Sequence, residues 1–198
     1  MAGKKEKEIE IYDELLKKLN LFEFYLNAEK EGDWENPDVR ISLPRFFGEN
    51  PERYALMPER GFRAEMKDKF IRESERANQL LYNNFYDLLK KHKPEEIATI
   101  ILNIPFLINI EEIKDEKLKK IAEHHATISA LKKMDVKTYR NLLLKTEVEE
   151  GIYSKYAKLT LPDEGLEIEK RFALIEQQNY LISELKKLKE KTKRENIN

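Results

Sequence analysis

Apolar residues recur every three or four positions along most of this chain, which is the spacing of one face of an α-helix. The pattern predicts helices over about residues 8–31, 62–93, 95–104, 111–125, 127–134, 136–150 and 163–193. Gly32 is expected to end the first helix, because glycine readily adopts the left-handed conformation found after helix C-termini. The sequence therefore predicts a mainly α protein, an irregular multi-helix bundle with at most minor β-structure.

The longest uncharged run, from Ile97 to Ile110, is the predicted centre of the core. A membrane-spanning helix needs about 20 apolar residues, and this run is shorter and contains Pro105. We therefore expect no membrane span but a buried helix over about 95–104 that Pro105 ends, since proline lacks the backbone N–H that helices use. Residues 106–110 are expected to form a buried connector or a short strand.

Residues 32–61 follow a different pattern, because prolines occur there at intervals of seven. These prolines are Pro37, Pro44, Pro51 and Pro58. Proline interrupts continuous helix, so the segment is predicted to be a long loop, with a short strand at 39–43. Its aromatic residues argue against disorder, and ordered loops of this length tend to be functional.

The same segment concentrates arginine in a chain that otherwise favours lysine. Between Glu31 and Met66 lie five arginines and no lysine, namely Arg40, Arg45, Arg53, Arg60 and Arg63. A planar guanidinium binds carboxylate or phosphate through two hydrogen bonds and stacks on aromatic rings. We therefore predict a site for an anion or for a partner's carboxylate here. The alternative is that these arginines pair with acids of the same segment and hold it in place.

The last predicted helix has a wide apolar face that is suited to binding a partner. The predicted partner-binding residues on this long amphipathic helix are Phe172, Ile175, Asn179, Ile182 and Leu185. An asparagine within an apolar helix face can specify the register or the partner of a helix pair. The basic tail from Lys186 to Arg194 could contact phosphates, although a solvated helix end is the simpler interpretation.

The domain prediction is one helical globular domain over residues 1–162, followed by a C-terminal amphipathic helix with a basic tail over 163–198. Residues 1–7 are expected to be disordered, and residues 152–161 fit a helix or a strand equally well. The first ten residues are charged and lack the apolar core of a signal peptide. A cytoplasmic protein is therefore expected.

Composition and motifs exclude several kinds of chemistry. The 198 residues include no cysteine and carry a formal net charge of −1, so cysteine-based zinc sites, thiol nucleophiles and a bulk attraction to nucleic acid are all excluded. His124 and His125 would point about 100° apart on a helix, which suits no single metal ion. Residues 118–131 loosely resemble a helix-turn-helix, with Ala126 where the turn usually has glycine. We predict no catalytic residue, no metal and no cofactor.

These features favour a non-enzymatic interaction protein, acting as an adaptor, a regulator or a small subunit of a larger assembly. Its partner is expected to be a protein, and a homo-oligomer fits the same features. The alternative is a nucleic-acid-associated subunit that binds phosphates through the arginine-rich loop and the basic tail, with an affinity that falls as salt rises. A third hypothesis is an enzyme of unrecognised type with a pocket at the loop.

Overall fold

The computed structural model describes the backbone of residues 2–150 and 161–195 and the side chains of residues 11–145 and 161–194. Within these residues the regular structure is helical and contains no strand, which confirms the mainly α prediction. The α-helices are α1 (Ala2–Glu31), α2 (Pro37–Phe46), α3 (Glu59–Asn83), α4 (Phe85–Lys91), α5 (Pro94–Asn103), α6 (Glu116–Lys133), α7 (Val136–Glu150) and α8 (Asp163–Glu195). Short 3-10 helices lie at Pro51–Tyr54 and Ile110–Glu112.

The chain divides into two compact units, Met1–Asn109 and Ile110–Asn198. The structure therefore divides the chain at a different place from the predicted boundary after residue 162. In the second unit α8 packs against both α6 and α7. Among the described residues, no helix is both long enough and apolar enough to span a membrane.

The predicted core helix is confirmed as α5. The backbone N–H of Lys93 donates to the Glu96 carboxylate at 2.7 Å, which satisfies one of the unpaired donors at the start of the helix. Ile97, Ile100 and Ile101 are fully buried. The backbone becomes extended at Ile104, the residue before Pro105, as the steric demand of proline on its predecessor requires.

Aromatic side chains fill the space between α1 and α3 in the first unit. The ring of Tyr25 stacks on that of Phe70 with centroids 4.1 Å apart, and Phe22 meets Phe70 edge to face at 5.5 Å. Trp34, just after α1, is buried and meets Tyr25 edge to face. Gly32 ends α1 with a positive φ of 70°, as predicted.

The prediction of a long loop over residues 32–61 is wrong, because helical structure occupies most of the segment. Pro37 is the first residue of α2, and Pro51 is the first residue of the first 3-10 helix. At the first helical position the backbone N–H has no partner within the helix, so proline, which lacks this N–H, costs no hydrogen bond there. The Asn36 side chain accepts from the N–H of Asp38 at 2.9 Å, and Asn50 caps the 3-10 helix in the same way. The predicted strand at 39–43 is also wrong, because those residues lie in α2.

Several predicted helix boundaries also need correction. The helix predicted over 62–93 is two helices, α3 and α4, because the backbone leaves the helical conformation at Asn84 (φ −114°, ψ 12°). The two helices predicted over 111–125 and 127–134 form the single helix α6, so the helix-turn-helix resemblance has no turn and is wrong.

The predictions for the N-terminal residues and for two connecting segments had different outcomes. The predicted disorder of residues 1–7 is wrong for residues 2–7, which belong to α1; lysine and glutamate there are good helix formers. Residues 106–109 form a partly exposed connector rather than a buried one or a strand. The choice between helix and strand for 152–161 falls almost entirely outside the described residues.

Candidate protein-interaction site

One face of α8 is buried in the second unit. Leu166, Leu181 and Leu185 are fully buried, and Leu188 is nearly so. Lys170 is also buried on this face, and its ammonium group donates to the backbone carbonyl of Met134 at the end of α6. This face fixes α8 against α6 and α7.

The opposite face of α8 carries a second apolar row, which we call the outer seam. It consists of Ile168, Phe172, Ile175, Asn179 and Ile182, which follow one another at intervals of four, three, four and three residues. At about 100° per residue, the middle of this row lies about 150° around the helix from the buried face. The side chains of Phe172, Ile168 and Ile175 are 63%, 54% and 49% exposed.

The outer seam contains four of the five predicted partner-binding residues. Phe172, Ile175 and Asn179 are exposed and Ile182 is half-buried. Leu185 is fully buried, so its prediction as a partner-binding residue is wrong for the folded unit. Steps of four and three residues alternate along the seam, so the next seam position would be four residues after Ile182. Leu185 is only three residues after Ile182, and its side chain therefore points toward the packed face. Ile168, which the predicted binding set omitted, completes the row.

A cleft of about 590 Å³ lies between α6 and α8, on a different side of α8 from the outer seam. Its charged lining residues are Lys117, Lys120, Lys187, Lys191, Glu123 and Glu184. The ring of His124 lies 4.8 Å from that of Tyr180 at the wall of the cleft, and His124 Nε2 is 3.2 Å from the carbonyl oxygen of Gln177. Lysine outnumbers glutamate here, which makes the cleft attractive to anions.

Ion pairing constrains one of these lysines. Lys187 Nζ lies 2.7 Å from a Glu184 carboxylate oxygen, and this contact raises the pKa of Lys187 above its ordinary value. The cleft brings two residues of the predicted basic tail, Lys187 and Lys191, close to two lysines of α6. The sequence did not show this juxtaposition, because it depends on how α6 and α8 pack.

Three of the five predicted anion-binding arginines are bonded inside the first unit. Arg40 donates to the carbonyl oxygens of Trp34, Tyr54 and Met57 at 3.2, 3.0 and 2.7 Å, and to Glu35 at 2.9 Å.

The other two bonded arginines combine a carboxylate with an aromatic ring. Arg53 lies 3.6 Å from Glu49, 3.5 Å from Glu65 and over the ring of Tyr54. Arg63 pairs with Glu29, which raises the pKa of the guanidinium, and lies over the ring of Trp34.

These contacts match the alternative interpretation, in which arginines hold the segment in place. Arg40 is mostly buried, whereas Arg53 and Arg63 stay partly exposed beside their carboxylate partners. Arg45 and Arg60 also have exposed side chains.

In the described parts of the chain, no three histidine, aspartate or glutamate side chains are grouped so that they could hold a metal ion. Comparison of the chain with protein-family models, with curated proteins and with solved structures gave no match. The functional assignment therefore depends on the outer seam, the cleft and the arginines themselves.

Proposed function

We propose that this protein is a non-enzymatic helical interaction protein, an adaptor, regulator or small subunit, that binds another protein through the outer seam of α8. The observation that carries the proposal is a row of exposed apolar residues at heptad spacing on a helix whose other face is already anchored. Contiguous exposed apolar surface of this kind marks interaction sites on soluble proteins.

Because α8 is already held in place, binding of a partner should cost little conformational entropy. Most of the stability of a protein helix comes from tertiary packing of one face, and α8 is held by the buried Leu166, Leu181 and Leu185 before any partner arrives. A partner helix therefore meets a preformed surface and need not order it. Phe172 is the largest side chain of the outer seam and is suited to act as the anchor that fills a pocket on the partner.

The experiment is affinity capture from a native lysate, after nuclease treatment, with two variants. Phe172→Glu combined with Ile175→Glu places charge in the seam and is expected to abolish capture of a stoichiometric protein. Leu56→Glu is the matched control, because Leu56 is an apolar side chain that is 96% exposed in the first unit. If the seam variant captures the same protein as the wild type, another surface binds it and the proposal is wrong.

A second candidate function is binding of a phosphate-containing ligand such as nucleic acid, and the cleft between α6 and α8 is the observation that favours it. Lysines that neutralise phosphates release counterions. The logarithm of the binding constant should therefore fall linearly as the logarithm of the salt concentration rises. The test is fluorescence anisotropy with a labelled single-stranded oligonucleotide at several salt concentrations. Lys117→Glu with Lys191→Glu should abolish binding, whereas Lys133→Glu, on an exposed α6 lysine outside the cleft lining, should not. Binding that is absent or independent of salt would eliminate this candidate.

A further inference from the structure

We infer that the outer seam of α8 pairs with the same seam of a second copy of this chain, as a parallel, in-register two-helix coiled coil. The inference rests on the proposed function and specifies its partner. In the heptad notation abcdefg, alternating steps of four and three place Phe172 and Asn179 at a positions. Ile168, Ile175 and Ile182 then occupy d positions.

Asn179 is the first reason to choose a second copy in parallel. In a parallel, in-register pair, each a position meets the same residue of the other helix, so the two Asn179 amides can hydrogen-bond to each other. In an antiparallel pair, a positions meet d positions, and Asn179 would meet an isoleucine. Its amide would then lose water without gaining a partner, which is unfavourable. A single asparagine within an otherwise apolar seam therefore favours self-pairing in one orientation.

Charge complementarity beside the seam points to the same arrangement. Arg171 occupies a g position and Glu176 the following e position, and both side chains are exposed. In a parallel pair, a g residue lies beside the e residue five positions later on the other helix. Two symmetrical Arg171–Glu176 ion pairs therefore form between the copies. In an antiparallel pair, e positions lie side by side, and the glutamates at 169 and 176 would meet other glutamates.

The ends of the seam limit the length of the pairing. Lys186 and Lys189 occupy the next a and d positions, where two copies would bring like charges together. At the beginning, the preceding a position is Gly165, which has no side chain to extend the seam. The pair therefore extends from Ile168 to Ile182, about 21 Å of helix. We expect pairing over so short a seam to be reversible.

The first measurement is sedimentation equilibrium of the full chain from low micromolar to submillimolar concentration. The wild type is expected to shift from monomer to dimer over this range, and Phe172→Glu should remain monomeric. Arg171→Glu and Glu176→Arg should each weaken dimerisation by about tenfold, and the double variant should restore it, because the swapped charges attract again. Circular dichroism checks that each variant retains its helices, and Leu56→Glu again serves as a control.

The relative orientation of the two paired helices is tested with a single introduced cysteine, since the native sequence has none. Ile168→Cys lies at the beginning of the seam, so in-register parallel copies bring the two thiols together and mild oxidation should yield a covalent dimer. In an antiparallel pair Ile168 would lie level with Asn179 of the other copy, so the two thiols would be about 17 Å apart along the helix and would not join. Tyr180→Cys is the control, because Tyr180 is exposed and lies outside the a, d, e and g positions.

Three outcomes would overturn the inference: a monomer at every concentration, a dimer that the seam variants leave unchanged, and a dimer without the cysteine cross-link. The proposed function fails by a different result, namely lysate capture that the seam variant does not reduce. A monomer whose seam still captures a different protein would retain the proposed function and exclude self-pairing.

Discussion

Arg40 is the residue that connects the separate pieces of the segment from residue 32 to residue 61. Its guanidinium, mostly buried, reaches three backbone carbonyls as well as Glu35. Lysine has one nitrogen where arginine has three and cannot reach these acceptors together. We expect Arg40→Lys to lower the free energy of unfolding by about 2–4 kcal/mol, because buried carbonyls lose their donors. Urea denaturation measures this change.

The matched control for Arg40 is Arg45, which lies in the same helix with an exposed side chain. Arg45→Lys should change the free energy of unfolding by no more than about 0.5 kcal/mol, as exposed substitutions usually do. Equal losses in the two variants would show that the carbonyl network does not stabilise the first unit.

Tyr54 should make stability depend on alkaline pH. Its buried hydroxyl donates to a Glu65 carboxylate oxygen at 3.0 Å, and burial together with Glu65 raises the pKa of Tyr54 to about 12. An unfolded tyrosine has a pKa of about 10. The folded state therefore keeps a proton that the unfolded state loses, so this contribution is complete below pH 10 and is lost as pH rises to about 12.

Tyr54→Phe removes this titration and should reduce the proton linkage of unfolding by about one proton between these pH values. The measurement is the free energy of unfolding at several pH values from neutral to 12. Tyr25→Phe offers a comparison, because burial also raises the pKa of Tyr25 to about 12. An unchanged pH dependence in Tyr54→Phe would contradict the expectation.

At the scale of elements, the core helix was predictable because its limits and its burial are both visible in the sequence. A proline followed by acids marks the start of α5, and a second proline marks its end. The residues between those acids and the second proline carry no charge, and burial of their apolar side chains is favourable.

Signals of a helix start were also present in residues 32–61, which were wrongly predicted to form a loop. Asn36-Pro37-Asp38 and Asn50-Pro51-Glu52 each contain a capping residue, a proline at the first helical position and an acid in the first turn. Regular spacing of the prolines suggested interruption, whereas Pro37, Pro51 and Pro58 lie at successive helix starts and Pro44 lies within α2. The error came from treating proline as a helix breaker at positions where it is a helix initiator.

Which face of α8 is exposed could be predicted only in part, because the predicted partner-binding set mixed four residues of the outer seam with the buried Leu185. Ile168 and Leu181 are both apolar residues of one amphipathic helix, and their spacing alone does not show which face meets α6 and α7. Arg40 presents the same difficulty, because its carbonyl acceptors lie up to 17 residues away in sequence. Such contacts depend on tertiary packing, which the spacing of apolar residues along the sequence does not show.

The start of α6 depends on one side chain, that of Asp115. Its carboxylate accepts from the backbone N–H groups of Lys117 and Leu118 at 2.9 and 3.1 Å. Asp115→Ala should lower the free energy of unfolding by about 1 kcal/mol, which is typical for loss of a helix cap. Asp115→Asn should restore most of that loss, since asparagine also caps well. Equal losses in Ala and Asn variants, measured by urea denaturation, would show that the cap is not the cause.

At the scale of the whole molecule, association must come from local surfaces, because the net charge of −1 provides no long-range attraction. The outer seam is such a surface, and we propose that α8 uses it for assembly. Its packed face contributes to the stability of one chain, and its other face is available to a second.

Pairing through α8 predicts that thermal stability depends on protein concentration. A dimer that dissociates on unfolding gains about 1.4 kcal/mol for each tenfold rise in concentration, because mass action favours the associated folded state. Calorimetry of the wild type should therefore show a Tm that rises with concentration. Phe172→Glu, confined to the monomer, should have a Tm independent of concentration, whereas Leu56→Glu should follow the wild type. A concentration-independent Tm in the wild type, under conditions where sedimentation shows a dimer, would mean that the chains stay associated when they unfold, which contradicts pairing through a preformed face of α8.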